Sequence, residues 1–316
     1  MQLKKIQIGN FTTENNIFLA PLSGYTDYCF RNPEIEQGFG LTFTELTSAK
    51  GIVYGSRGNS AMLSCGGKDL YDKTAVQIFG CDPYYMRKAC EDSQLSNYKV
   101  VDINMGCPVP KVFKNGEGSA LLKNIDLAEK IVKECVKSGK IITIKIRTGQ
   151  VVGDDIATEF AKMAEDSGAK LITIHGRVRE RYYSGEIDYN AIEKAKKSVN
   201  IPVIANGGIF TVSDADTVMD RTGADGVMLA RGAMENPFLV CELLGVQKKG
   251  NLKEFIISHV NNMIELYGEN RSAVLFRKFI PYYFKSRRNF KEIKLKMQAQ
   301  ENAYDLIKII EENVDC

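Results

Sequence analysis

Short β-branched runs alternate with helix-like segments from residue 17 to residue 230. Strands are predicted at residues 17–20, 41–44, 75–80, 100–104, 141–147, 171–175, 202–205 and 226–230. Most are near-continuous apolar runs, as expected of parallel strands buried on both faces. Between them, apolar positions recur at helical spacing. Ile125, Ala128, Ile131, Val132 and Cys135 share one face of a helix opened by Asn124. A second helix is expected to open at 154–157 and run to Gly168, which suits the left-handed residue after a helix end. A third opens at 213–216 and ends near Gly223. Pro33 falls within the first helical region, so that helix is expected to be interrupted or short.

Alternating β and α segments imply a parallel sheet with right-handed crossovers. Eight such repeats match a closed (β/α)8 TIM barrel, whose usual size is about 250 residues. An open, doubly wound sheet is the alternative. Against it, no Gly-x-Gly-x-x-Gly follows the first strand. After Arg231 the strand signals stop, and residues 253–267, 272–284 and 291–312 predict helices. The α/β chain is therefore read as a barrel domain at 1–242 followed by a small C-terminal helical domain at 243–316.

Composition narrows the class. A chain of 316 residues with 44% hydrophobic and 26% charged residues is an ordinary globular one. No apolar run approaches the roughly 20 residues of a membrane helix. Lys4 and Lys5 are followed by no apolar segment, so no signal peptide is expected and the cytoplasm is the expected compartment. The cysteines at 29, 65, 81, 90, 107, 135, 241 and 316 form no Cys-x-x-Cys pair, and the histidines are His175 and His259 alone, so no metal site is expected. The net charge is +3, yet nine basic residues and one acidic residue, Glu292, fall between Arg271 and Lys296. Arg277, Lys278, Lys285, Arg287 and Arg288 belong to this run, which is either a solvated helix face or a polyanion-binding patch.

Candidate chemistry collects at the predicted strand ends, where such barrels place their sites. Strand 1 ends in Pro21-Leu22-Ser23, strand 3 carries Gln77, and strand 4 runs into Asn104-Met105-Gly106-Cys107-Pro108. Strand 5 carries Lys145 and Arg147 at positions that share the lumen side. Two cations there call for an anionic or acceptor-rich partner, such as the N1–O2 edge of a flavin, unless they neutralise core carboxylates. Strand 6 ends in His175-Gly176-Arg177, strand 7 in Asn206-Gly207-Gly208 and strand 8 in Ala230-Arg231-Gly232. The last two turns lie where this fold commonly binds phosphate, with glycine N–H groups and the Arg231 fork as donors; the alternative is that Gly207-Gly208 is simply a tight βα turn. Cys107, at the mouth beside Lys111 and Lys114, is the cysteine expected to react. The other seven are read as structural or incidental, and His259 as a core residue.

Taken in order and spacing, these residues resemble the tRNA-dihydrouridine synthases. The most specific stretch is Asp102-Ile103-Asn104-Met105-Gly106-Cys107-Pro108 with Gly118-Ser119-Ala120-Leu121-Leu122. It is supported by Gly24-Tyr25-Thr26-Asp27, Gln77-Ile78-Phe79-Gly80, Lys145-Ile146-Arg147, His175-Gly176-Arg177, Asn206-Gly207-Gly208-Ile209 and Arg231-Gly232-Ala233. The resemblance implies one non-covalent FMN, NADPH as reductant and tRNA as substrate. Pro21, Leu22 and Ser23 would lie against the isoalloxazine. Gln77 and Lys145 would bond its polar edge, and His175 would contact it. Asn206, Gly207, Gly208, Ala230 and Arg231 would hold the phosphate. Cys107 would be the proton donor, with Asn104, Arg177 and Arg147 on the substrate and the basic tail on RNA. A monomer is the expected state. Arg277-Lys278-Phe279 departs from the Arg-Lys-His common in such tails, and Val178 stands where Thr is common. Two further readings predict different features. A dihydroorotate-dehydrogenase-like flavin barrel for a free pyrimidine needs no basic tail. A non-catalytic RNA-binding barrel would have lost Cys107, Lys145 or Arg231.

Overall fold

The computed structural model describes residues 1–56 and 58–314, so Cys316 lies outside the described residues. Eight parallel strands close into a ring: β1 (Ile17–Leu19), β2 (Leu41–Phe43), β3 (Thr74–Phe79), β4 (Val100–Met105), β5 (Ile141–Arg147), β6 (Ile172–His175), β7 (Val203–Asn206) and β8 (Gly226–Leu229). Each pairs with its sequence neighbours, and β8 closes onto β1 through Met228 opposite Phe18. All eight strands coincide with the predicted runs to within one or two residues at their ends. The chain is a TIM barrel with a helical C-terminal region.

The period-two alternation of the strands sorts their side chains. Val101, Ile103 and Met105 of β4 join the large cluster under the outer helices, whereas Val100 joins Phe18, Leu41, Ala75, Leu171 and Ile204 inside the barrel. A short hairpin, Gln7–Ile8 with Phe11–Thr12, was not foreseen. Its buried Ile6 and Ile8 pack on this inner cluster and stopper the N-terminal end of the barrel. The lumen is thus apolar at the bottom, and its polar residues sit higher, toward the strand C-termini.

The outer helices used below are α1 (Tyr28–Gln37), α2 (Ala49–Val53), α3 (Pro83–Glu91), α4 (Ile125–Val136), α5 (Ala157–Asp166), α6 (Tyr189–Ser198), α7 (Val212–Thr222) and α8 (Leu239–Leu244). The α4 face is as predicted, with Asn124 capping Leu127 N–H and Ala128, Ile131, Val132 and Cys135 buried. The second helix starts later than expected because Asp154 turns back to accept from the Gln150 and Val151 amides. A Thr211–Asp214 capping box starts α7, and left-handed Gly223 ends it. Contrary to expectation, α1 runs unbroken through Pro33. Pro33 has no N–H for the carbonyl of Cys29, but the Asn262 side-chain amide donates to that carbonyl at 3.3 Å.

Asn262 belongs to α9 (Leu252–Tyr267), the first of five tail helices; the others are α10 (Glu269–Phe276), α11 (Ile280–Phe284), α12 (Phe290–Gln298) and α13 (Ala303–Asn313). Two helices expected to be continuous are therefore each split. Pro281 offers no N–H to the Arg277 carbonyl, which ends one helix before the next begins. Asn302 caps Tyr304 N–H and starts α13 afresh. The tail is fixed to α1 by a ring cluster. Phe279 stacks on Phe30 at 5.8 Å and meets the His259 ring edge-on at 4.5 Å. His259 is fully buried, with Nδ1 2.9 Å from the Tyr283 hydroxyl.

Candidate active site

A cavity of about 440 Å³ opens at the C-terminal ends of the strands. Its floor is set by a buried polar network one layer below. Asp102 accepts from Gln77 Nε2 at 2.7 Å and from Thr143 Oγ1 at 2.6 Å. Gln77 Oε1 in turn accepts from Asn104 Nδ2 at 2.8 Å. Burial raises the Asp102 carboxyl to about 6, against the lowering effect of those two donors and of Lys145. Gln77, expected at a cofactor edge, is fully buried, spends both amide ends inside the protein and does not line the cavity. The register explains this: Gln77 is opposite Asp102, one inward step below Asn104.

Asn104 shapes the loop that carries Cys107. Its Oδ1 accepts from the Gly106 and Cys107 amides at 3.2 and 2.9 Å. The Cys107 carbonyl accepts from Ser119 N and Oγ at 3.1 and 2.7 Å. Gly118 has φ +59°, and a Cβ there would lie 3.0 Å from Cys107 Cβ, so the loop folds this tightly only with glycine. Arg147 Nε donates to the Gly106 carbonyl at 2.9 Å. Burial pushes the Cys107 thiol above its ordinary value, while the Val109 amide and Arg147 pull the other way.

The cavity lining contains Lys145, Arg147, Arg177 and Arg231 and, among the described residues, no carboxylate. Lys145 attracts Asp102 from a distance without pairing with it; its Nζ donates to Asn206 Oδ1 at 2.8 Å. Burial, with Arg147 nearby, lowers the Lys145 ammonium to about 7, and burial lowers Arg147 to about 10. His175 is held neutral by burial and by the surrounding cations, and its Nδ1 is buried without a partner. Thr173 Oγ1, which lies opposite Lys145 in the register, is likewise buried without a partner. A buried donor or acceptor in this state costs about 1–3 kcal/mol unless a ligand meets it.

Gly207 and Gly208 line the same cavity with φ of +115° and +72°. A Cβ on Gly207 would lie 2.9 Å from Ile187 and 3.1 Å from the His175 ring, so only glycine leaves that turn in place. Pro21, Leu22 and Ser23, Asn206 and Ala230 also line it. Of the residues proposed from the sequence to form this site, all but Gln77 converge on one cavity. Sequence reasoning missed its aromatic wall. Tyr183 lies between two guanidinium groups, 5.8 Å from Arg147 and 5.4 Å from Arg231, and Phe210 flanks Arg231 at 5.6 Å. Tyr25 and Tyr282 meet edge-on at 5.8 Å, so the tail itself reaches the rim through Tyr282. The aromatic content of loop 178–186 and the Pro281-Tyr282-Tyr283 run were the available signals.

The basic tail is not one face. Arg277 donates to the Gln300 carbonyl and Arg287 to the Asn313 carbonyl. Lys278 lies over the Tyr25 and Phe279 rings, turned toward Asp27 and Glu45 of the barrel. Lys285 and Arg288 are exposed.

A family model described as dihydrouridine synthase (Dus) matches residues 18–314. A probable tRNA-dihydrouridine synthase of Rickettsia conorii is 36% identical over 288 residues, covering 88% of this chain and 87% of its own length. The tRNA-dihydrouridine synthase B of Vibrio parahaemolyticus is 34% identical, covering 95% of this chain and 99% of that one. Among solved structures, a histamine dehydrogenase from Rhizobium sp. 4-9 superposes with a TM-score of 0.55 at 14% identity, covering 82% of this chain and 50% of that one. The structure titled TcOYE with pHBA does so with a TM-score of 0.58 at 12% identity, covering 84% and 97%. At such identities these two likenesses concern the fold alone.

Proposed function

The chain belongs to the dihydrouridine synthase family and is an oxidoreductase, and from that premise we propose that it reduces uridine to dihydrouridine in tRNA with FMN and NADPH, using Cys107 as proton donor. The observation that carries this reading is the cavity itself. Four cations, two positive-φ glycines and His175 surround one space without a carboxylate, and Cys107 lines the same space.

The residues present fit FMN. A mononucleotide phosphate suits Gly207, Gly208 and the Arg231 fork. Lys145, lowered to about 7 by burial, gains a counter-charge from an anionic ring edge. Pro21, Leu22 and Ser23 offer a surface for the ring. Gln77 acts from below, by holding Asn104.

Bound FMN would supply the two electrons that reduce the uracil C5=C6 bond, with NADPH as their source. The protein supplies the rest. Addition at C6 leaves negative charge delocalised over C5 and the C4 carbonyl, and C5 must then take a proton. Burial keeps the Cys107 thiol protonated at neutral pH, ready to donate. The thiolate left behind is stabilised by the nearby Arg147 charge. Arg177, at the rim, orients the base. The target uridine must leave its stack to reach this depth, at a cost of a few kcal/mol. Exposed cations of the tail, Lys285 and Arg288, offset it through phosphate contacts. A tRNA substrate implies cytoplasmic action.

The test compares oxidants of the NADPH-reduced protein. Unmodified tRNA should reoxidise the flavin far faster than free uracil or orotate. Faster reoxidation by a free pyrimidine would instead support a dihydroorotate-dehydrogenase-like reaction.

A further inference from the structure

A group of exposed aromatic and basic side chains lies on the barrel rim, outside the cavity. Tyr54 is 68% exposed and Tyr84 is 61% exposed. Tyr54 follows α2, and Tyr84 opens α3 directly after β3, so both sit at the strand C-terminal end that carries the cavity. Tyr85 joins them. Its hydroxyl is 2.5 Å from that of Tyr54, their ring centroids are 5.6 Å apart, and the Tyr84 ring stands edge-on to it at 5.3 Å. Lys50 Nζ lies 5.2 Å from the Tyr85 centroid.

The group adjoins the cavity wall. Cys81 Sγ, at the foot of α3, donates to the carbonyl of Asn115 at 3.4 Å. Asn115 ends the short helix Pro110–Lys114, which begins just after Cys107, Pro108 and Val109 of the cavity lining. That helix carries exposed Lys111 and Lys114. Among the described residues, no carboxylate lies within ion-pair distance of Lys50, Lys111 or Lys114. Two acidic groups are close. Asp82 is used as the α3 cap, accepting from Tyr84 N–H, and Glu117 is half-buried facing Lys50.

Exposed tyrosine rings contribute little to a core, and unpaired lysines between them favour a polyanion. Flat rings interleaved with cations are the surface that unpaired RNA uses, its bases stacking on the rings and its phosphates meeting the ammonium groups. The reaction creates a need for such a surface. A uridine drawn into the barrel leaves its neighbour without a stacking partner just outside the mouth.

We propose that Tyr54, Tyr84 and Tyr85, with Lys50, form a stacking platform for an unpaired nucleotide of the RNA substrate next to the reacting uridine. This rests on the tRNA reading above and adds to it a barrel-borne RNA contact separate from the basic tail.

The test measures tRNA affinity of the full chain loaded with FMN. Stacking is worth about 1–3 kcal/mol per base, so Tyr54→Ala with Tyr84→Ala should weaken tRNA binding about 5- to 150-fold. Tyr84→Phe, which keeps the ring, should bind near the wild-type level. Lys50→Ala should lower the slope of log affinity against log salt by about 0.7–0.9. Bound flavin and melting temperature verify folding of each variant. If wild type binds and reduces tRNA and the double alanine variant binds it equally well, the platform is refuted while the activity stands. If the alanine changes alter self-association and leave tRNA affinity intact, the rings serve a protein contact and the platform is again refuted. If wild type itself neither binds nor reduces tRNA, both readings fall together.

Discussion

Replacing Cys107 with alanine separates the proton-transfer role from every other function of its loop. The loop is pinned through backbone groups: Asn104 to the Gly106 and Cys107 amides, Ser119 to the Cys107 carbonyl and Arg147 to the Gly106 carbonyl. None of these bonds uses the sulfur, which only the Val109 amide approaches, so Cys107→Ala should keep the loop, the fold and the bound flavin. The loss should fall on chemistry. A positioned general acid is worth roughly 10²–10⁴-fold. No carboxylic acid lines the cavity among the described residues, and Lys145 is tied to Asn206, so replacement by a neighbour is poor and a loss of about 10³-fold is expected. The pH profile carries the same signature. The acid must be protonated to act, and burial raises the thiol above its ordinary 9.0. Wild-type turnover should therefore hold through neutral pH and fall only above pH 9, and Cys107→Ala should lack that falling limb. Single-turnover reoxidation of the NADPH-reduced protein by unmodified tRNA measures both. A Cys107→Ala variant within threefold of wild type, with the same alkaline limb, would refute the assignment.

Three further outcomes follow from the same geometry. Lys145 titrates near 7 before an anion enters, and bound anion favours its charged form. FMN binding at pH 7–8 should therefore take up a proton and weaken as pH rises, which calorimetry in buffers of different ionisation heat reads directly; pH-independent uptake of zero would count against Lys145 as a flavin contact. Glu34 is fully buried, neither carboxylate oxygen has a partner, and burial pushes its pKa well above the usual range. Its favourable contribution is present in full below pH 4.5 and is lost as pH rises toward the folded value. Glu34→Gln should accordingly melt higher than wild type at pH 7, with the difference shrinking by pH 4, and an equal difference at both pH values would contradict this. Neutralising Lys285 and Arg288 together should reduce the salt slope of tRNA binding by about 1.5, and an unchanged slope would make them an ordinary solvated face.

The barrel was legible because its strands are short apolar runs bounded by polar turns, a local property. So was the convergence of Asn104, Cys107, Lys145, His175 and Arg231, because strand C-termini share one face in this architecture. What was not legible depends on partners distant in sequence. Unbroken α1 requires Asn262, 233 residues away, to bond the carbonyl that Pro33 leaves open. Gln77 lies one layer below the cavity lining because of its register with Asp102. The basic run from Arg271 to Lys296 read as one patch because a count ignores direction. Arg277 and Arg287 bond tail carbonyls, and Lys278 turns toward the barrel. The two-residue strands that plug the barrel bottom are too short for any periodicity to register.

The most direct measurement is the mass of tRNA before and after incubation with the purified protein and NADPH. Unmodified tRNA should gain two hydrogens at a uridine, with the protein yellow and bleached by NADPH beforehand. A flavin-loaded protein that NADPH reduces but that leaves fully unmodified tRNA unchanged in mass would contradict the proposed reaction.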